Sequence, residues 1–290
     1  MENRTLKIGG VPEHFNLPWQ LAIDENLFLK ENINLDWQYF PGGTGAMTKA
    51  LQEGELDIAI LLTEGFIAAL EKGLQARVVK EYITSPLTWG IFTGADSDVN
   101  SIYDRNPKKY AISRLGSGSH LMAMIHAEQR GERIKASELI EVRSLDAAIA
   151  SLKNNETQIF YWEKYTTKPF VTAGDVRMIG EFSAPWSSFL IVATEKALQE
   201  KTAAIQKAMT IINAKSYQFK QDKNSVLELV SRFKMSEQDA RNWLQSTVWN
   251  TDFTIRKSGL TNAENALMKI NGAQENQEMK NWLSNLIEVI

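Results

Sequence analysis

Apolar and polar positions follow two patterns of spacing along the first two thirds of the chain. Between residues 5 and 194, short apolar runs bounded by polar or glycine residues alternate with stretches in which apolar residues recur every three or four positions. The runs predict β-strands, and the stretches predict amphipathic helices packed on a sheet. Regular alternation of the two is typical of the α/β class.

The same pattern assigns the elements. Trp19, Ala22, Ile23 and Leu27 share one face of a predicted helix. After residue 194 the pattern predicts helix throughout, with capping boxes at residues 225–228 and 261–264. The predicted strands are residues 6–9, 35–39, 57–62, 76–83, 89–93, 110–113, 140–142, 158–161, 176–179 and 189–194.

A weak internal correspondence relates residues 50–60 to residues 151–161. Leu51 aligns with Leu152 and Ile58 with Ile159, so that in both segments an amphipathic helix ends at a polar turn and enters a short strand. This is expected if two lobes each repeat one βαβ unit.

Composition narrows the class of protein. The 290 residues carry 32 Lys plus Arg against 35 Asp plus Glu, and 43% are apolar, which is typical of a globular chain long enough for two lobes. The basic residues form no stripe, so nucleic-acid binding is not expected. There is no cysteine, which excludes disulfides, thiolate metal sites and a cysteine nucleophile. No metal or cofactor is predicted, since the three histidines lack carboxylates at ligand spacing.

The N-terminus has no basic start followed by an apolar run, so the chain as written predicts a cytoplasmic protein, or a periplasmic one if an export leader had been removed. The longest apolar stretch, near residues 56–62, is too short to span a membrane.

Residues 112–120 are the strongest local signal for a ligand site. A strand leads into a Gly/Ser loop, and a helix is predicted to begin near Leu121. Gly116 and Gly118 let the backbone approach a ligand, while the Ser117 and Ser119 hydroxyls and the N–H groups of a helix start suit an anionic or acceptor group. A plain capping turn with Ser119 as N-cap is an equal alternative.

A second loop of this kind spans residues 41–46 and contains Gly43 and Thr44. It lies at the C-terminal end of a predicted strand, where open α/β sheets bind ligands. A tight connection that needs glycine for backbone reasons is the somewhat stronger interpretation.

Two carboxylates follow predicted strands. Glu64, next to Thr63, and Glu163 would lie at strand ends and could bind donor groups of a ligand or pair with Arg114. A general acid/base pair is the weaker interpretation, because the separation of the two glutamates in the sequence does not indicate their distance in the fold.

Four of the eight tryptophans, Trp19, Trp89, Trp162 and Trp186, fall at predicted loop or strand ends, where aromatic walls suit a planar or cationic ligand. Core packing is the usual role of any single tryptophan. The other four, Trp37, Trp243, Trp249 and Trp282, are predicted to pack in cores or between helices.

Several segments together resemble the type II periplasmic-binding-protein-like superfamily. The likeness is strongest to a branch of fungal and bacterial solute-binding-like proteins, related to sulfonate, nitrate and taurine receptors and to thiamine-pyrimidine synthases. It runs from about residue 5 to residue 195. The segments are residues 12–15, 41–45, 50–59, 85–89, 113–119, 160–163 and 184–186.

The resemblance implies two Rossmann-like α/β lobes joined by a two-strand hinge, with a helical C-terminal segment and a ligand held between the lobes by hinge closure. The first lobe would comprise residues 1–90 and 188–290, and the second residues 91–187. The ligand-binding residues would be His14, Trp19, Thr63, Glu64, Trp89, Arg114, Gly116, Ser117, Gly118, Ser119, Trp162, Glu163 and Trp186, with Gly43 and Thr44 from the second loop.

The function expected from this resemblance is that of a monomeric, non-catalytic binding protein for a small polar or heteroaromatic metabolite, with an anionic metabolite as one option. A permease of an ABC transporter would be its partner if the protein were exported. The alternative is an enzyme of thiamine-pyrimidine-like cofactor metabolism with His14 as acid/base. The lack of cysteine disfavours it, because such synthases carry a cysteine-rich motif. An effector-sensing domain ranks last.

Overall fold

The computed structural model describes residues 5–104 and 108–271, which form two compact units. Unit 1 comprises residues 5–85 and 186–260, and unit 2 comprises the described part of residues 86–185 together with residues 261–271. The sequence-based division had placed the entire C-terminal region in the first lobe, whereas residues 261–271 group with unit 2.

Unit 1 contains a mixed five-stranded sheet with the order β2-β1-β3-β10-β4. Strand β1 pairs in parallel with β2 and β3, and β10 runs antiparallel between β3 and β4. The strands are β1 (Thr5–Gly10), β2 (Asn34–Tyr39), β3 (Ile58–Leu62), β4 (Ala76–Ile83) and β10 (Phe189–Thr194).

Unit 2 contains a second five-stranded sheet with the order β7-β6-β8-β5-β9. Strand β6 pairs in parallel with β7 and β8, and β5 runs antiparallel between β8 and β9, so the topology of unit 1 is repeated. The strands are β5 (Thr88–Gly94), β6 (Tyr110–Ile112), β7 (Leu139–Glu141), β8 (Ile159–Glu163) and β9 (Val176–Ser183).

Helices cover the faces of both sheets. Unit 1 contains α1 (Leu17–Asp24), α2 (Leu27–Lys30), α3 (Gly43–Gln52), α4 (Thr63–Leu70), α8 (Glu195–Gln221), α9 (Ser225–Phe233) and α10 (Glu237–Ser246). Unit 2 contains α5 (Gly118–Gln129), α6 (Leu145–Lys153) and α7 (Lys164–Thr172), and α11 (Lys257–Asn271) has residues in both units.

Each unit has its own apolar core. In unit 1, Met47 and Leu51 of α3 pack against Leu61 of β3. In unit 2, Phe92 of β5 and Phe160 of β8 pack with the apolar face of α6. The strand and helix periodicities of the sequence thus correspond to faces that are buried in these cores.

The predicted α/β class and all ten predicted strands are confirmed. Strand β7 is shifted by one residue, and β8 and β9 extend further than predicted, to Glu163 and Ser183. The single predicted helix that contains Trp19 and Leu27 is two helices, because Asn26 adopts a left-handed conformation with φ 56° between them.

The prediction of continuous helix after residue 194 is wrong for residues 247–256. There, Trp249 forms an antiparallel bridge to Ile83, so the segment pairs with β4, the edge strand of this sheet. The two predicted capping boxes are also wrong. Ser225 is the first residue of α9 and donates to the Phe219 carbonyl, and Thr261 lies inside α11.

Candidate functional site

In unit 1, several of the predicted site residues lie at the C-terminal end of the parallel strands. Strand β3 ends at Leu62, and Thr63 and Glu64 begin α4. Gly43 begins α3 in the connection that follows β2. The segment Trp186 to Ser188 precedes β10 at the same edge, since β10 runs antiparallel to β3. Open α/β sheets bind ligands at this edge.

Glu64 is the central polar side chain of this edge. It is 1% exposed, and its Oε2 accepts a 2.9 Å hydrogen bond from Nε1 of Trp186, which is also buried. Its Oε1 is buried and has no hydrogen-bond partner among the described residues. Desolvation raises the pKa of Glu64 from 4.5 to about 7, with its own backbone N–H and then the bond from Trp186 acting in the opposite direction.

Thr63 and Thr44 hold this edge together. The Thr63 hydroxyl donates to the Ser187 carbonyl at 2.6 Å, and its N–H donates to the Ser188 carbonyl at 3.1 Å. The Thr44 hydroxyl accepts the Leu62 N–H at 3.1 Å. Both side chains therefore bind backbone groups of unit 1 and position Glu64 and Trp186.

His14 lies in an aromatic cluster and not on an open loop. It is 3% exposed and contacts Phe15, Phe233 and Trp243, the last at 4.5 Å between ring centroids. Burial lowers the pKa of His14 from 6.5 to about 3. A neutral imidazole packed among aromatic rings does not favour the acid/base role considered above.

Trp19 is a core residue of α1. It is fully buried, stacks on Phe28 and contacts Trp37. The prediction that Trp19 lies at a loop end is wrong, because α1 begins two residues earlier. Of the tryptophans predicted to be structural, Trp243 and Trp249 are buried and pack on each other, Trp37 is half-buried in β2, and Trp282 lies outside the described residues.

In unit 2, the Gly/Ser loop forms a compact turn that begins α5. Ser117, not Ser119, is the N-cap, and its hydroxyl accepts the His120 N–H at 3.4 Å. The buried Ser119 hydroxyl accepts the Ser113 N–H at 2.9 Å and lies 3.0 Å from the Ser117 hydroxyl. The serines thus fix the shape of the turn, and the N–H groups of Gly118 and Ser119 lie at the start of α5.

Gly116 and His120 complete the turn. Gly116 has φ +74°, which glycine adopts without strain, and its N–H donates to Nδ1 of His120 at 3.0 Å. Ser113 and His120 were not predicted as site residues. Their position within residues 112–120 was the sequence feature that could have indicated their role in the turn.

Arg114 is half-buried in the same turn. Burial lowers the pKa of its guanidinium, and the carboxylate of Glu141 on β7 opposes that shift. The charge of Arg114 is therefore partly balanced within unit 2.

Trp89 and Trp162 both lie at this edge of the second sheet but on opposite faces. Trp89 is 4% exposed and pairs in register with Glu163, while Trp162 pairs with Gly90 and packs on Phe160 at 5.2 Å. Neither indole Nε1 has a hydrogen-bond partner among the described residues, although both atoms are buried.

Glu163 caps a helix. It is the last residue of β8, and its Oε2 accepts the Thr166 N–H at 2.6 Å and the Thr166 hydroxyl at 2.8 Å at the start of α7. Burial raises the pKa of Glu163 to about 7 despite these bonds. Glu163 therefore has a capping role in unit 2.

No helix in residues 5–104 and 108–271 has the length and apolarity needed to cross a membrane. In the same residues, no group of three or more His, Asp or Glu side chains could hold a metal ion.

Comparisons with known proteins agree with this architecture. The family model described as Ca3427-like PBP matches residues 89–182. The Candida albicans CA3427 gene product, which exhibits the generic periplasmic binding protein fold, superposes with TM-score 0.89 at 24% identity over 98% of this chain and 96% of that one. The chain has the periplasmic binding protein fold.

Sulfonate-binding proteins share this fold. The alkanesulfonate-binding protein SsuA from Xanthomonas axonopodis pv. citri, bound to MOPS, gives TM-score 0.82 at 14% identity over 100% of both chains. The aliphatic sulphonate binding protein SsuA from Escherichia coli gives TM-score 0.69 at 17% identity over 93% of this chain and 88% of that one. The comparison with curated proteins gave no match.

Proposed function

We propose that this chain is a non-catalytic binding protein for a small polar or heteroaromatic metabolite. The proposal draws on the periplasmic binding protein fold, whose similar structures include solute-binding proteins. The ligand contacts come from the strand ends described above in each unit.

The observation that carries the proposal is the edge of unit 2 at which Trp89 and the turn of residues 113–119 lie. Helix α5 begins there with no acidic residue in its first turn, and its first N–H groups have no intrahelical acceptor. Trp89 adds a buried indole N–H that, like those of five other tryptophans, has no partner among residues 5–104 and 108–271. An acceptor group of a ligand at this edge would bond to the N–H groups that begin α5 and to this indole.

The test is a thermal-shift screen of the purified chain against metabolites, followed by native mass spectrometry of each hit. We expect one chemical class to raise the melting temperature and to form a complex without turnover. In Trp89→Phe, which keeps a ring but removes the indole N–H, the affinity for that class should fall about tenfold.

Trp243→Phe is the matched control. Trp243 is another buried indole whose Nε1 has no partner among the described residues, but it packs against His14 and Phe15 in unit 1. Its replacement should leave affinity unchanged. Equal affinity of wild type and Trp89→Phe would remove Trp89 from the site, and a catalysed reaction of the hit would contradict the non-catalytic role.

A further inference from the structure

Glu64 is a buried carboxylate with no cation beside it. Within residues 5–104 and 108–271 it forms no ion pair, and the donors that lower its pKa are its own backbone N–H and the indole N–H of Trp186. Its Oε1 is buried and accepts no hydrogen bond from the described residues. An acceptor buried without a donor is costly and rare in folded proteins, and a bound group is one of its recognised explanations.

The position of Glu64 in α4 sharpens what that group must be. Glu64 lies in the first turn of α4, where the helix dipole and the unbonded N–H groups favour negative charge. The protein's own carboxylate already occupies this end of the helix. A second anion, such as a sulfonate, would meet a like charge here whenever Glu64 is ionised.

Unit 2 differs at the equivalent edge. Helix α5 has no acidic residue in its first turn, and Arg114 lies in the turn before it. The two strand ends therefore favour groups of opposite character, an acceptor or anion at α5 and a donor at α4.

We infer that the ligand presents an N–H donor, either an ammonium or an amino group on a heteroaromatic ring, to Oε1 of Glu64. This inference rests on the proposed function and adds the ligand class to it. The group that the ligand presents to this edge of unit 1 is therefore basic or amino in character. A plain alkanesulfonate lacks the group that Glu64 requires.

The test uses matched probes that differ by one amino group, measured by isothermal titration calorimetry. The pairs are 2-aminoethanesulfonate with ethanesulfonate, β-alanine with propionate, and 4-aminopyrimidine with pyrimidine. In the wild-type chain, we expect the amino member of at least one pair to bind at least tenfold more tightly than its partner. This comparison needs no variant, so it holds even if a substitution impairs folding.

Glu64→Gln then assigns the preference to Glu64. Glutamine has nearly the same volume and keeps an oxygen that can accept from Trp186, but it replaces the other oxygen with an NH₂ donor. The preference for the amino member should disappear. Glu53→Gln is the control, because Glu53 is exposed at the end of α3 and its change removes the same charge from unit 1.

The outcomes separate the two proposals. If the wild type binds probes but treats the members of each pair alike, or if Glu64→Gln keeps the preference, this inference is overturned and the proposed function stands. If the wild type binds none of these probes and no metabolite in the thermal-shift screen, the proposed function fails and this inference fails with it.

Discussion

Gly54 and Asn155 adopt the same left-handed backbone conformation at the same point of the two units, with φ +72° and +54°. Each follows a helix that ends in a polar turn, α3 in unit 1 and α6 in unit 2. The next residue in each unit donates its N–H back to a helix carbonyl. These bonds run from Glu55 to Ala50 and from Glu156 to Ser151, both at 2.9 Å. The predicted correspondence of residues 50–60 with 151–161 therefore extends to backbone geometry.

The left-handed conformation at position 54 predicts a specific order of stabilities. A Cβ added at Gly54 would meet nothing within 4 Å, so only the backbone conformation resists a side chain there. Gly54→Ala should cost about 1 kcal/mol of unfolding free energy, and Gly54→Asn should cost less, because asparagine tolerates this region. Urea denaturation of the three proteins measures the order. Equal stability of the alanine and asparagine variants would contradict it.

The elements of the fold could be predicted from sequence because their signals are local. Strand runs and helical spacings lie within a few residues of one another, and this located all ten strands. The two units also share a second pair of matching hydrogen bonds, and these join residues that are far apart in the sequence. The side chain of Asp57 accepts the Lys7 N–H and that of Gln158 accepts the Lys109 N–H, both at 2.9 Å, from residues about fifty positions away.

The candidate site could be predicted only in part. The sequence indicated strand ends, and Glu64 and Ser117 are there. It could not indicate burial: Trp19 and His14 are buried in unit 1, and their contact with a ligand stays a prediction. The apolar spacing that Trp19 shares with Ala22 was the available signal for a core position. The bond from Trp186 to Glu64 spans 122 positions, and no local pattern contains it.

Opposing pKa shifts predict a stability maximum below neutral pH. Burial raises the pKa of Glu64 and Glu163 from 4.5 to about 7, so the folded chain binds extra protons between those values and loses stability as pH rises through them. Burial lowers the pKa of His14 to about 3 and of His126 to about 4, so the unfolded chain binds extra protons below pH 6.5. The shifts largely cancel between about pH 4.5 and 6.5.

We therefore expect the melting temperature to change little across that interval, to fall from about pH 6.5 to 8, and to fall again below about pH 4.5. Differential scanning calorimetry over this range measures the profile. A melting temperature that climbs steadily from pH 6 to 8 would show that the two glutamates are ionised and satisfied in the folded chain.

Glu64→Gln isolates one contribution to this profile. The variant has no carboxylate to ionise, so it does not lose stability as the wild type does when Glu64 ionises. The difference in unfolding free energy, variant minus wild type, should therefore increase by at most roughly 3 kcal/mol as pH rises from 4.5 to 8. Urea denaturation of the variant and the wild type at pH 5 and at pH 8 measures the difference in unfolding free energy at each pH. Glu53→Gln removes the same formal charge from an exposed position of unit 1, and a gain of the same size in that control would assign the effect to net charge alone.

Gly94 predicts a packing constraint between β5 and α6 in unit 2. A Cβ at Gly94 would lie 2.4 Å from the Leu152 carbonyl oxygen, a backbone atom that cannot turn aside. Gly94→Ala should cost about 3 kcal/mol or more. At Gly180 on β9 the nearest atom would be 3.4 Å away, on the flexible end of Ile91, so Gly180→Ala should be neutral or slightly stabilising. Similar unfolding free energies for both variants would contradict the close approach.

Ser117 and Ser119 should respond differently to substitution, because they have different partners in one turn. Ser117→Ala removes the N-cap of α5 and should cost about 1 kcal/mol, and Ser117→Asp should restore it, since a carboxylate also accepts at this position. Ser119→Ala leaves the Ser113 N–H without its acceptor in a buried place and should cost about 1–3 kcal/mol. Urea denaturation measures all three. If Ser119→Ala is as stable as wild type while ligand affinity falls, the Ser119 hydroxyl contacts the ligand directly; if stability and affinity fall together, it acts by holding the first turn of α5.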